Sequence, residues 1–213
     1  GGGAPAKAAT PGAAAASANT LPLEQLRALD IDGKVALGAL KLSGLSMSDM
    51  VAVIEAKGGQ INLSPVAAKL YSGSYAGNIG FNAKGKTAKL SLNERLKGVQ
   101  IGPLLKDLGG EDRLEGTANA TIKATTSGNI PEAMKKTLNG SGNFKFANGA
   151  LKGVNLAAMI RDAKARLSGA NSNAGNEPNQ TDFSELGGTF KIVNGLVSNN
   201  DFSAKSPLLR LKG

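Results

Sequence analysis

The chain contains no cysteine, no histidine and no tryptophan. Without cysteine there is no disulfide, no thiol nucleophile and no sulfur ligand for zinc. Without histidine the commonest acid/base side chain is gone, and with it every Ser-His route to a nucleophile. Aromatic residues make up only 4% of the 213 residues, so there is little to stack nucleic-acid bases on. No stretch approaches the roughly 20 apolar residues of a transmembrane helix. No basic segment leads into the short apolar run of a signal peptide. The text begins at Gly1-Gly2-Gly3 and stops within strand-like sequence at Leu208 to Gly213, which reads as an excised fragment.

Carboxylates are the remaining candidates for acid/base work. The close pairs, Asp30 with Asp32 and Glu111 with Asp112, sit in glycine-flanked turn text where acids are ordinary. Asp30-Ile31-Asp32-Gly33 opens like a calcium loop, but the later oxygen ligands and the bidentate Glu are missing. Lys84-Gly85-Lys86-Thr87 lacks the upstream glycine and spacer of a phosphate loop. Neither catalysis nor a cofactor or metal is expected.

What is present is glycine, at 29 residues, and positive charge, at a formal +9 with pI near 9.8. The 25 Lys and Arg are scattered, with no run longer than Lys135-Lys136. That reads as a solvated basic face, with at most weak attraction to an anionic membrane, and no nucleic-acid partner is expected.

Residues 1–19 are almost entirely Ala, Gly, Pro, Ser and Thr, a flexible linker. Residues 20–213 read as one domain. Leu42-Ser43-Gly44-Leu45-Ser46, Leu96-Lys97-Gly98-Val99 and Leu151-Lys152-Gly153-Val154 share one grammar at near-constant spacing: strand, glycine, apolar residue, helix. The first unit predicts a helix over 46–56 from the i, i+3, i+4, i+7 stripe Met47, Met50, Val51, Ile54. Further short helices are predicted over 20–29, 103–108, 130–138 and 155–167, and a polar loop over 168–180. Asn148-Gly149 and Asn194-Gly195 read as tight turns. Between these lie short alternating segments: a strand with Ile61 and Leu63, a second with Val66, Ala68 and Leu70 after Pro65, and one with Tyr75, Gly77, Ile79 and Phe81 on one side. Another is the run from Leu114 to Ala124, with Leu114, Gly116, Ala118, Ala120, Ile122 and Ala124 on one side. The expected fold is α+β: a long, curled, mostly antiparallel sheet with three or four short amphipathic helices in repeated strand–Gly–helix units at one edge or end.

Several stretches resemble the C-terminal domain of the AsmA family. They are Leu23-Glu24-Gln25-Leu26-Arg27-Ala28-Leu29-Asp30-Ile31-Asp32-Gly33, Gly59-Gln60-Ile61-Asn62-Leu63-Ser64-Pro65, Asn148-Gly149-Ala150-Leu151-Lys152-Gly153-Val154-Asn155-Leu156 and Thr181-Asp182-Phe183-Ser184-Glu185-Leu186-Gly187-Gly188-Thr189-Phe190. The order and spacing carry the resemblance, over about residues 20 to 213. It implies the periplasmic part of a protein anchored in the inner membrane of a Gram-negative bacterium, through a segment absent here. It implies a role in outer-membrane biogenesis, with phospholipid or another acyl lipid passed along a taco-like apolar β-groove. The expected lining is Ile61, Leu63, Tyr75, Ile79, Phe81, Leu90, Leu92, Leu114, Ala118, Ala120 and Ile122, with Ala124 beside them. Each of these is equally suited to a core beneath the helices. The alternative is a non-catalytic assembly module that binds another envelope protein through a sheet edge.

Overall fold

Turns decide the topology. Gly58-Gly59, with φ of 54° and 81°, joins two long strands in the backbone form that favours tight hairpins. Tyr71-Ser72 and Asn194-Gly195 do the same with two successive positive φ values. A chain that keeps turning tightly places each strand beside its predecessor, antiparallel, with no crossover. The structure, a computed structural model, describes residues 20–42, 44–111, 113–169, 178–206 and 210–212. The expected linker over 1–19 and most of the expected loop over 168–180 lie outside them.

The elements are α1 (Leu23–Arg27), β1 (Asp30–Leu42), β2 (Leu45–Lys57), β3 (Gln60–Leu70), β4 (Gly73–Asn82), β5 (Lys89–Gln100), α2 (Ile101–Asp107), β6 (Thr117–Ser127), α3 (Pro131–Lys136), β7 (Asn139–Lys152), α4 (Leu156–Ser168), β8 (Gln180–Val193), β9 (Leu196–Ser198), β10 (Ser203–Lys205) and β11 (Arg210–Lys212). The strands form one open antiparallel sheet in the order β1 through β8, then β10 and β11, with β9 also on β8. The register places α1 and α3 at one end of the strands and α2 and α4 at the other. The helices therefore do not share the single edge that was expected.

The helix expected over 46–56 is strand β2. Its apolar residues form two alternating runs, Leu45 and Met47, then Met50, Ala52, Ile54 and Ala56. Asp49, at φ 49°, sits between them at a register shift against β3. One inserted residue in a period-2 pattern yields spacings of three, which mimic a helical stripe. Gly44, Gly98 and Gly153 do share a left-handed backbone, at φ 89°, 68° and 85°. Only the second and third lead into helices; the first closes a hairpin. Asn148-Gly149 does not reverse the chain but continues β7, with Asn148 at φ 51°. The two short strands expected around Pro65 are one strand, β3, carrying a bulge between Leu63 and Val66.

Each end of the sheet is closed differently. Under α2, Leu70, Val99, Ile101, Leu104 and Ala118 form the core cluster, with Leu45, Met47, Tyr75, Leu96, Leu114 and Phe146 packed against it. Asp107 at the end of α2 accepts a hydrogen bond from the Tyr71 hydroxyl at 2.6 Å, and that hydroxyl accepts one from the Ser46 N–H at 3.1 Å. A Cβ on Gly44 would run into the Asp107 carbonyl, so the hairpin and the helix fit only with glycine there. At the opposite end, Arg27 of α1 donates to the Ala83 and Gly85 carbonyls at 2.7 and 2.6 Å. Ala83 and Ala88 are fully buried beneath it.

Candidate functional site: the apolar face of the sheet

In an antiparallel pair, directly opposed residues point to the same face. Ladder by ladder, Ile54, Leu63, Ile79, Leu92, Ala124, Gly140 and Ile192 form one row across β2–β8. Ala52, Val66, Gly77, Glu94, Ile122, Gly142 and Phe190 form the next. Ala68, Tyr75, Leu96, Ala120, Phe144 and Gly188 follow. On the other flank lie Ala56, Ile61, Phe81, Leu90 and Thr126. Bulges at Leu63/Val66 and Leu96/Val99 return the pattern to the same face after an extra residue, so the apolar surface runs on without a break in side.

The structure thus brings Ile61, Leu63, Tyr75, Ile79, Phe81, Leu90, Leu92, Ala118, Ala120 and Ile122 onto one surface, with Ala124 among them. Leu114 is elsewhere. It forms an isolated bridge to Leu151 and packs against the cluster under α2. Gly116, at φ 124°, ends the alternation expected from Leu114, and β6 begins at Thr117. Ile54, Val66, Leu96, Phe144 and Phe190 also belong to this surface. The alternation of Phe144 with Phe146, and of Phe190 with Ile192, was the available signal for the last strands.

The helices lie against the ends of the strands: α2 on β2 and β5, α3 on β6, α4 on β8. Among the described residues no helix crosses the two middle rows. Leu63, Ile79, Leu92 and Ile122 there are half-buried, as expected of a sheet with one layer. Small residues keep the surface low: glycine at 77, 140, 142 and 188, alanine at 52, 120 and 124. The opposite face of the same strands carries Asn62, Asn78, Asn93, Arg95, Thr121, Lys123, Asn143 and Lys191. At the outer edge, β1 pairs only with β2, and its Ile31, Val35 and Leu37 are 44%, 39% and 39% exposed.

One acid interrupts the apolar rows. Glu94 sits in the middle row, and its carboxylate fills the hollow left by Gly77, where a Cβ would overlap it. Both carboxylate oxygens are buried and neither has a hydrogen-bond partner of ordinary geometry. The Tyr75 hydroxyl stands beside them. Burial first, then the neighbouring carboxylate, pushes that hydroxyl well above its ordinary value. No cluster of three metal-ligating side chains occurs among the described residues.

A sequence model described as the AsmA family matches residues 4–202. The chain belongs to the AsmA family. It is also similar to Protein AsmA of Escherichia coli (strain K12), 23% identical over 170 residues. That match covers 80% of this chain and 28% of the relative, so the AsmA-family chain described here spans little more than a quarter of that protein's length. No solved structure matches. Among the described residues no helix is long and apolar enough to cross a membrane.

Proposed function

We propose that the apolar face of β2–β8 shields acyl chains of phospholipid. In this reading the domain is a non-catalytic, periplasmic part of an inner-membrane-anchored protein that supports outer-membrane biogenesis. The observation that carries it is the pair of rows across seven strands, apolar except at Glu94, with no helix over them among the described residues. Membership of the AsmA family supports the envelope setting.

The energetics favour such a surface. An acyl chain leaving a bilayer exposes methylenes at about 0.8 kcal/mol each, on the order of 12 kcal/mol for about sixteen carbons. Seven strands at about 4.8 Å spacing give an apolar width of about 29 Å, longer than such a chain. Glycine and alanine in the middle rows leave depth for it, and curling of the sheet around this face would complete a groove.

The test is native mass spectrometry of the protein purified from cells, with photo-crosslinking residues at Ile79 and Ile122. Co-purified phospholipid and lipid adducts at both sites are expected. A lipid-free protein whose adducts are all protein would overturn the reading. It would favour a second one, supported by the exposed outer edge of β1: an assembly module that takes a partner's strand onto that edge.

A further inference from the structure

The polar face of the sheet holds a concavity of about 1110 Å³ that crosses β4 to β8 and reaches residues 198–200. A twisted open sheet is a saddle, so each face is concave along one diagonal. Three cations line the hollow: Arg95 on β5, Lys123 on β6 and Lys191 on β8. Lys123, Ser141 and Lys191 stand in one row, and Arg95 faces Thr121. At about 4.8 Å between strands, the backbones of the two lysines lie about 10 Å apart, and that of Arg95 about 8 Å from that of Lys123.

The charge here is uncompensated. None of the three cations forms an ion pair among the described residues. Glu94 borders the hollow, but its carboxylate lies over Gly77 on the other face. Asp201, at the rim, accepts from the Thr189 N–H and hydroxyl, both at 2.8 Å. Between the cations lie amides and hydroxyls, chiefly Asn93, Thr121 and Asn143. The Phe190 ring covers Gly142 on the apolar face, so this face offers bases no stacking platform.

We propose that this concavity binds an acidic oligosaccharide. The three cations rise from three different strands, with backbone positions about 8 to 10 Å apart, so they spread positive charge along the hollow. They suit an extended chain that carries successive negative groups, with amides and hydroxyls to meet the hydroxyls between them. The proposal is independent of lipid on the opposite face.

The test titrates the whole chain with fluorescent oligogalacturonate at several salt concentrations, beside a neutral malto-oligosaccharide and a single-stranded DNA of equal length. Exposed charge contacts are each worth about half a kcal/mol, so the variant Arg95→Ser/Lys123→Ser/Lys191→Ser is expected to bind about tenfold more weakly. Its salt slope should fall by about two. Lys84→Ser/Lys86→Ser/Lys164→Ser, matched in charge, should bind as the parent does. All three proteins should share one circular dichroism spectrum. A further arm uses phosphatidylcholine vesicles with and without a phosphorylated glycolipid. Capture that depends on the three cations marks a lipid headgroup as the source; binding of free oligogalacturonate alone marks a free glycan. Equal binding by the first variant, equal binding of the neutral sugar, or tighter binding of DNA overturns the proposal.

Discussion

Gly77 and Glu94 are predicted to be coupled strongly enough to reverse the sign of a mutation. Gly77 lies in an extended strand without positive φ, so Gly77→Ala carries no backbone penalty there. Taken alone it should stabilise by about 0.4–1 kcal/mol, because alanine restricts the unfolded chain. In the native protein, however, the new Cβ overlaps the Glu94 carboxylate and stands 3.0 Å from the Tyr75 hydroxyl. Glu94 must leave its hollow, and overpacking of this kind costs about 1–3 kcal/mol. The net expectation is a loss of about 1 kcal/mol. With Glu94→Ala the obstacle is gone, and Gly77→Ala should then stabilise. The interaction energy is about 2 kcal/mol, well above the scatter of about 0.5 kcal/mol for independent sites. Urea denaturation of the parent, both single variants and the double variant closes the cycle, with equal m-values as the two-state check. If Gly77→Ala shifts stability equally in both backgrounds, the carboxylate does not occupy that hollow and the placement of Glu94 on the apolar face is wrong.

The Tyr75 hydroxyl ionises later in the folded protein than in the unfolded chain, so its contribution is present below the ordinary tyrosine range and is lost as pH rises above it; alkaline denaturation followed by near-ultraviolet absorbance should become less steep in Tyr75→Phe. Tyr71→Phe removes the hydroxyl that joins Ser46 to Asp107 and should cost about 0.5–1.5 kcal/mol in thermal or urea unfolding. Bonds from the Thr189 N–H and hydroxyl hold the Asp201 carboxyl below its ordinary value. Its contribution is therefore present above the ordinary aspartate range and lost as pH falls through the lowered one. The protection factor of the Thr189 amide, its exchange rate taken relative to the intrinsic rate at the same pH, should fall on acidification, and Asp201→Ala should show that reduced protection already at neutral pH.

Much of the fold was legible because it is local. Alternation marked Tyr75 to Phe81 and Ala118 to Ala124 as strand. α1, α2, α3 and α4 lie close to their expected positions, each announced by proline in the first turn, an apolar stripe or a capping Asn155 whose side chain accepts from the Ala158 N–H at 2.8 Å. Three of the misreadings share one cause. At Asp49, at Pro65 and at Asn148 an extra residue or a left-handed step shifts a strand's period without ending the strand. A periodicity count takes such a shift for a helix, a break or a turn. Only pairing with a neighbouring strand holds the chain extended across it.

The sequence by itself determined that this chain has no thiol or imidazole chemistry, that most of it is antiparallel strand, and which side chains alternate. Those properties reside in residue identity and in spacing over a few positions. The tertiary structure decided which alternating sets share a face, because that depends on register across β2–β8 and on bulges that return the pattern to the same side. It decided that the helices close the ends and leave the middle rows uncovered, which follows from connection lengths and from contacts such as Tyr71 with Asp107. It also decided that Glu94, one acid among many in the sequence, stands in the middle rows of the apolar face over Gly77. No local pattern in a strand distinguishes that glutamate; the glycine opposite, seventeen residues away in sequence, does.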